Sequence, residues 1–200
     1  MKGIFFTEFL HMVEAQYSAN MVDDIIEAAD LPSKGAYTIV GAYSDEEMVS
    51  LMQCYAEITQ LSIPDILKAF GRHLFKRLFP IFLRQQRHLL IQDPFTLFEN
   101  LDHYVRFEVF KLYPDDERPS FKTQRVDNYT LLVDYTSPAP LIYAIYGVLE
   151  AGLQHFGHTD ATILLQDLSA NKTTHAIFTI KLQRPNTQLN SDCYDTAIRS

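Results

Sequence analysis

The chain has no tryptophan, two cysteines and only seven glycines in 200 residues. Cys54 and Cys193 stand far apart with no Cys-x-x-Cys spacing, which excludes a zinc knuckle and a disulfide framework and suits a reducing cytoplasm. The sparse glycines form no phosphate-cradling loop. A nucleophile elbow, a His-Glu-x-x-His motif and a paired acidic catalytic site are also missing, so the chain is read as not an enzyme. Positive charge is scarce: the net charge is −8, and the one basic cluster is the short Arg72 to Arg87 region. Phosphate binding needs a clustered basic footprint, which argues against a nucleic-acid partner. Long hydrophobic runs are lacking as well. The stretch from Leu74 to Leu83 is short and carries Lys76 and Arg77, so no membrane span is expected. Met1-Lys2-Gly3 leads into a pattern interrupted by Glu8, His11 and Glu14, too polar for the core of a signal peptide.

What the chain does have is apolar and aromatic. Hydrophobic residues make up 47%, with fourteen Phe and eleven Tyr, enough for a packed core or for walls around a flat ligand. The length suits a single domain, read over 1–183, followed by a polar, aperiodic tail over 184–200. The first two thirds show helical periodicity. Ile4, Phe5, Leu10 and Met12 open it, and Val22, Ile25 and Ile26 repeat it before Asp30-Leu31-Pro32. Ser44 and Glu47 have capping-box spacing for a helix towards Thr59, and Pro64 suits the first turn of the next. After Gln92-Asp93-Pro94 the spacing predicts one long helix to about Tyr113, stopped by Pro114. Then the period becomes two. Strands are predicted over Ser120–Val126, Tyr129–Tyr135, Ala161–Gln166 and His175–Leu182, with a helix inserted from Leu141 to Phe156 and ended by Gly157. Helices followed by an antiparallel sheet with one inserted long helix make an α+β fold.

Several segments in order resemble one family. Met1-Lys2-Gly3-Ile4, Lys68-Ala69-Phe70-Gly71-Arg72, Glu108 to Pro114, Pro119 and Tyr135-Thr136-Ser137 are together similar to the heme nitric oxide/oxygen binding (H-NOX) domains, related to the sensor domain of soluble guanylate cyclase. The resemblance covers about residues 1–182. It implies a histidine on the long helix as the proximal iron ligand and a Tyr-x-Ser-x-Arg motif for the heme propionates. Counting back from Pro119 and from Tyr135 puts the proximal position at Arg106. The propionate motif keeps Tyr135 and Ser137, but Ala139 stands in place of the arginine. Pro119, which in the family presses on the heme, is present; by itself it also reads as a turn proline. The family's distal tyrosine position falls on Ala144, with Tyr143 and Tyr146 nearby, so stable oxygen binding is not implied. The family's cysteine zinc site has no counterpart, since Ile142 and Ala144 occupy its helix positions, and no metal is expected there.

A guanidinium has no lone pair to offer iron. Three readings of Arg106 stay open: an i,i+4 ion pair with Asp102 along the polar stripe of Glu99, Asp102, His103 and Arg106; a pocket residue meeting an anionic ligand with Tyr135 and Ser137; or a bystander to heme held by another side chain. His103 is the alternative iron ligand, about 60° round the helix from Arg106. On these grounds the chain is expected to be a non-enzymatic regulatory protein with a degenerate heme site and no cofactor, the alternative being a heme-binding nitric oxide sensor ligated by a residue such as His103. The resemblance further implies a separate signalling partner, such as a histidine kinase or a cyclic-di-GMP enzyme.

Overall fold

The computed structural model of the chain describes residues 1–85, 91–105, 118–170 and 173–183. Three helices come first: α1 (Gly3–Gln16), α2 (Ala19–Ala28) and α3 (Asp45–Thr59). The cap of α3 differs from a full capping box. Ser44 accepts the Glu46 amide at 3.2 Å, while the buried Glu47 carboxylate turns away to accept hydrogen bonds from the hydroxyls of Ser33 and Tyr37. A buried carboxylate needs donors, and Glu47 finds them across the fold rather than on its own helix.

Helix α4 (Ile63–Gln85) is 23 residues long and continues through Pro80, which lies on its exposed side. Its first half sends Ile66, Leu67, Phe70 and Leu74 into a core shared with α1 to α3, and its second half sends Phe75 and Phe79 into a second core against the sheet. One helix therefore belongs to both cores. The expected single helix from Pro94 is instead broken. Helix α5 (Pro94–Glu99) stops at Asn100, whose side-chain amide donates to the Thr96 carbonyl at 2.8 Å, and α6 (Leu101–Tyr104) follows it. Residues 106–117, Arg106 among them, and the tail expected over 184–200 lie outside the described residues.

The sheet runs in the order β1 (Ser120–Asp127), β2 (Thr130–Ser137), β4 (Thr174–Lys181), β3 (Thr162–Asp167), every neighbour antiparallel. Alternation is regular on the central strands. Leu131, Val133, Tyr135 and Ser137 of β2 and Ala176, Phe178 and Ile180 of β4 face the core, as the period of two requires. Helix α7 (Ile142–His155) connects β2 to β3 and packs along α4. The α+β class thus holds, with the four strands and the inserted helix within about two residues of their expected bounds.

Where α4 and α7 cross, both backbones come close. A Cβ on Gly71 would lie 1.9 Å from the Ala144 carbonyl oxygen, and one on Gly147 would lie 2.1 Å from that of Lys68. Only glycine allows this approach, because backbone on the other side cannot step aside as a side-chain tip can. The variant Gly147→Ala is expected to lose about 2–3 kcal/mol of stability by overpacking. The check is a urea unfolding curve, in which the midpoint falls while the slope stays that of the parent.

Candidate functional site

At the seam between the two cores lies a cavity of about 510 Å³. That volume is in the range of pockets that enclose a small-molecule or cofactor ligand. Its wall is overwhelmingly apolar. Helix α4 contributes Leu74, Phe75, Leu78 and Phe79, α6 contributes Leu101, Tyr104 and Val105, and α7 contributes Ala144, Ile145 and Val148. Met1, Lys2 and Phe5 close it from the N-terminus, and Pro119, Phe121, Tyr135, Ser137 and Ala139 from the sheet. Phe75 and Phe79 stack at 4.8 Å between ring centroids, giving α4 a flat aromatic surface beside the cavity.

One corner is polar. Tyr135 is 1% exposed, and its ring packs on Phe121 at 5.1 Å. Burial pushes the Tyr135 phenol up to about 12, against an opposing hydrogen bond from Ser137. The group is therefore a neutral donor at ordinary pH. Ser137 Oγ accepts the Ala139 amide at 3.0 Å, which fixes that hydroxyl at the end of β2. Two hydroxyls held this way can donate to a carboxylate, and Ala139 beside them brings no charge.

The N-terminal wall is tied down at two points. The terminal amine donates to the Tyr43 carbonyl and pairs with Asp45, both at 2.6 Å. Glu8 of α1, 7% exposed, pairs with His73 Nε2 at 2.9 Å and accepts from Arg77 Nε at 3.1 Å, both on α4, while His11 stands 3.9 Å away. Burial pushes the Glu8 carboxyl up, but the hydrogen bonds from Arg77 and His73 outweigh it, and the net shift is downward. The clasp ties α1 to α4, and both helices line the cavity, α1 with Phe5 and α4 with Leu74 and Leu78.

The structure therefore gathers Pro119, Tyr135, Ser137, Ala139 and Ala144 around one cavity. His103 is exposed on α6 and is not among the residues that line it. Arg106 lies outside the described residues, but its proposed partner Asp102 accepts the Phe121 amide at 2.9 Å, and Glu99 of the same stripe binds Arg125 through two contacts of 2.9 Å. Tyr143 and Tyr146 take the Lys68 ammonium over their rings at 5.8 and 4.8 Å, away from the cavity lining. Sequence reasoning missed Lys2, Phe5 and Tyr104. Lys2 is 5% exposed, a rare burial for lysine, and Tyr104 follows Leu101 at the i+3 spacing that shares a helix face. Among the described residues no three His, Cys, Asp or Glu side chains converge on a metal position, and no helix is long and apolar enough to cross a membrane.

Comparison with known proteins gives a consistent result. A family model described as Haem-NO-binding matches residues 2–163. Among solved structures, an unliganded Fe(II) H-NOX protein from K. algicida is 31% identical, with a TM-score of 0.77 over 93% of this chain and 98% of that one. An H-NOX protein from S. oneidensis in the Fe(II)NO state is 26% identical, with a TM-score of 0.72 over 92% of this chain and all of the other. The I5F variant of T. tengcongensis H-NOX, at 16% identity and a TM-score of 0.73 over 93% of this chain, shares the fold. No curated protein sequence matches. The expectation of a chain without a cofactor is corrected by these findings: the family is a heme-binding one, and the cavity has not been filled by the chain's own Phe and Tyr residues. Its apolar, partly aromatic walls suit the faces of a heme, and the Tyr135 and Ser137 corner suits a propionate.

The Glu8 clasp carries a pH signature. A carboxyl lowered in the folded state adds stability above its unfolded pKa, and that stability is lost as pH falls through the folded value. Replacing Glu8 by Gln is expected to cost about 2 kcal/mol at neutral pH, as charge-assisted hydrogen bonds in a buried setting do. Unfolding curves of parent and variant should converge as the buffer is taken below the ordinary carboxyl range. A constant gap down to that range would show that the charge of Glu8 contributes nothing.

Proposed function

The chain belongs to the Haem-NO-binding (H-NOX) family, and from that premise we propose that it is a non-enzymatic, heme-dependent sensor of nitric oxide that works through a separate signalling protein. The observation that carries this reading is the open cavity at the seam of the two cores, apolar on its faces and hydroxyl-lined at one corner. Tyr135 and Ser137 donate to a propionate. Lys2, the one side-chain cation among the described lining residues, supplies positive charge that Ala139 lacks. Leu78, Leu101, Val105 and Pro119 exclude water from the faces. The heme, when bound, supplies an iron that takes nitric oxide. Among the described residues the two cores meet along α4, α7 and the cavity rim, so a change in what fills the cavity alters their mutual packing and with it the outer surface. A histidine kinase or a cyclic-di-GMP enzyme is the class of partner proposed to read that surface.

The family's iron and propionate contacts are incomplete in this sequence, with Arg106 at the proximal position and Ala139 closing the Tyr-x-Ser motif. Protein made with heme precursor available should carry a stoichiometric Soret band that moves when nitric oxide is added. Colourless protein that ignores added hemin would sink the reading. Introducing the missing charge by Ala139→Arg should tighten hemin binding about tenfold or more, the worth of a charge-assisted hydrogen bond of 1.5–3 kcal/mol. Hemin transfer to a scavenging globin measures the change as a slower release rate.

A further inference from the structure

We infer that the chain forms a weak symmetric dimer through the free edge of β3, each copy extending the other's sheet. β3 contributes no residue to the cavity, so this surface is separate from the site above. The sheet has two outer strands, and they are finished differently. β1 carries Lys122, Arg125 and Asp127, and its register slips between Arg125 and Asp127. The Phe121 amide of β1 donates to Asp102 of α6, and Arg125 reaches Glu99 of α5. Charged side chains, a bulge and cover from a neighbouring element are what keep an edge strand from pairing. β3 lacks this protection. Its sequence Thr-Ile-Leu-Leu-Gln-Asp carries one charge, at the last position, its register against β4 is unbroken, and Leu164 is 52% exposed.

The phase of the hydrogen bonds tells which β3 groups are open. The Leu168 amide donates to the His175 carbonyl and the Leu182 amide to the Tyr129 carbonyl, both at 2.8 Å. Odd residues of β4 therefore bond towards β3 and even ones towards β2, and by register Thr162, Leu164 and Gln166 face β4. The backbone groups of Ile163 and Leu165 point to the outer edge, and among the described residues no hydrogen bond reaches them there. A second copy supplies the partners through a two-fold axis normal to the sheet. Side chains keep to their own face only in a register centred on a residue, and the centre at Leu164 fits best. It sets Ile163 opposite the second copy's Leu165 on the core side, where both already pack against the core. Thr162 then faces Gln166 and Asp167 faces Ala161, so no like charges stand opposite one another. A centre at Leu165 would instead set Asp167 against the half-buried Ile163. The net charge of −8 repels two copies at a distance, which favours contact at a charge-poor strand and keeps the dimer weak.

Sedimentation velocity of the full chain over about 5–300 µM, a span suited to a small interface, tests this. The parent should pass from monomer to dimer as concentration rises, with or without hemin. Leu164→Lys sets two ammonium groups against each other at the axis and should raise the dimer dissociation constant about tenfold or more. Val126→Lys, at a similarly exposed position on β1, should leave it unchanged. Leu164→Cys, made together with Cys54→Ala and Cys193→Ser, should form an interchain disulfide on mild oxidation. Its two copies stand opposite one another without mutual hydrogen bonds, about 4.5 Å apart at Cα and within disulfide reach. A parent that stays monomeric throughout, a Leu164→Lys chain that dimerises like the parent, dissociation by Val126→Lys instead, or a Leu164→Cys chain that never cross-links would each overturn the proposal. Both lysine positions face solvent, so the melting curves of these variants should match that of the parent at low concentration.

Discussion

The crossing of α4 over α7 governs the rest of this molecule. At Gly71 and Gly147 the two backbones approach so closely that neither position has room for a methyl group. Because the helices are locked there, both can run past the junction and serve a different core on each side. Two cores that share helices but do not merge leave a seam, and the cavity of about 510 Å³ opens along it. Apolar voids of this size cost stability, since every atom on the wall forgoes contacts on one side. A fold that keeps such a void against that cost does so where a ligand returns the missing contacts.

Most of the fold was legible because its signals are local. The two-residue alternation of Leu131, Val133 and Tyr135 marks a strand wherever it occurs, and the apolar spacing of α1 and α2 marks their buried faces. The break at Asn100 was not legible: Leu97, Phe98 and Leu101 keep the helical period through it, and the interruption comes from one amide turning onto the Thr96 carbonyl. Glu47 shows the same limit, since its spacing from Ser44 announces a cap while its true partners, Ser33 and Tyr37, come from tertiary packing. The site divides in the same way. Pro119, Tyr135, Ser137 and Ala139 could be found through family order, but Lys2 and Tyr104 reach the wall only because α1 and α6 are brought there by contacts far away in sequence, among them Glu8 with Arg77 and Asp102 with the Phe121 amide.

Charge placement explains why a cavity with an altered motif can still suit heme. A heme presents two broad apolar faces and two carboxylates, so most of its binding free energy comes from burial, and the carboxylates chiefly fix orientation. In the proposed reading the faces are met by the apolar lining of the cavity. Orientation in that reading depends on fewer groups: the Tyr135 and Ser137 hydroxyls, with Lys2 the side-chain cation among the described lining residues and Ala139 where the resemblance implies an arginine. A lysine is a flexible point charge without the planar fork of a guanidinium, and it holds a carboxylate with less angular definition.

The same substitutions bear on the iron. An imidazole is a neutral ligand and tolerates ferrous iron, the form found in the relatives described as Fe(II) and Fe(II)NO. This sequence has Arg106 where the resemblance implies that imidazole, and a guanidinium has no lone pair for iron. Any other side chain that held the iron would bring a different charge to it, and in an apolar pocket that difference is little screened and moves the reduction potential. The proposed sensing of nitric oxide therefore depends on the ligand at one position as much as on the cavity that encloses the heme.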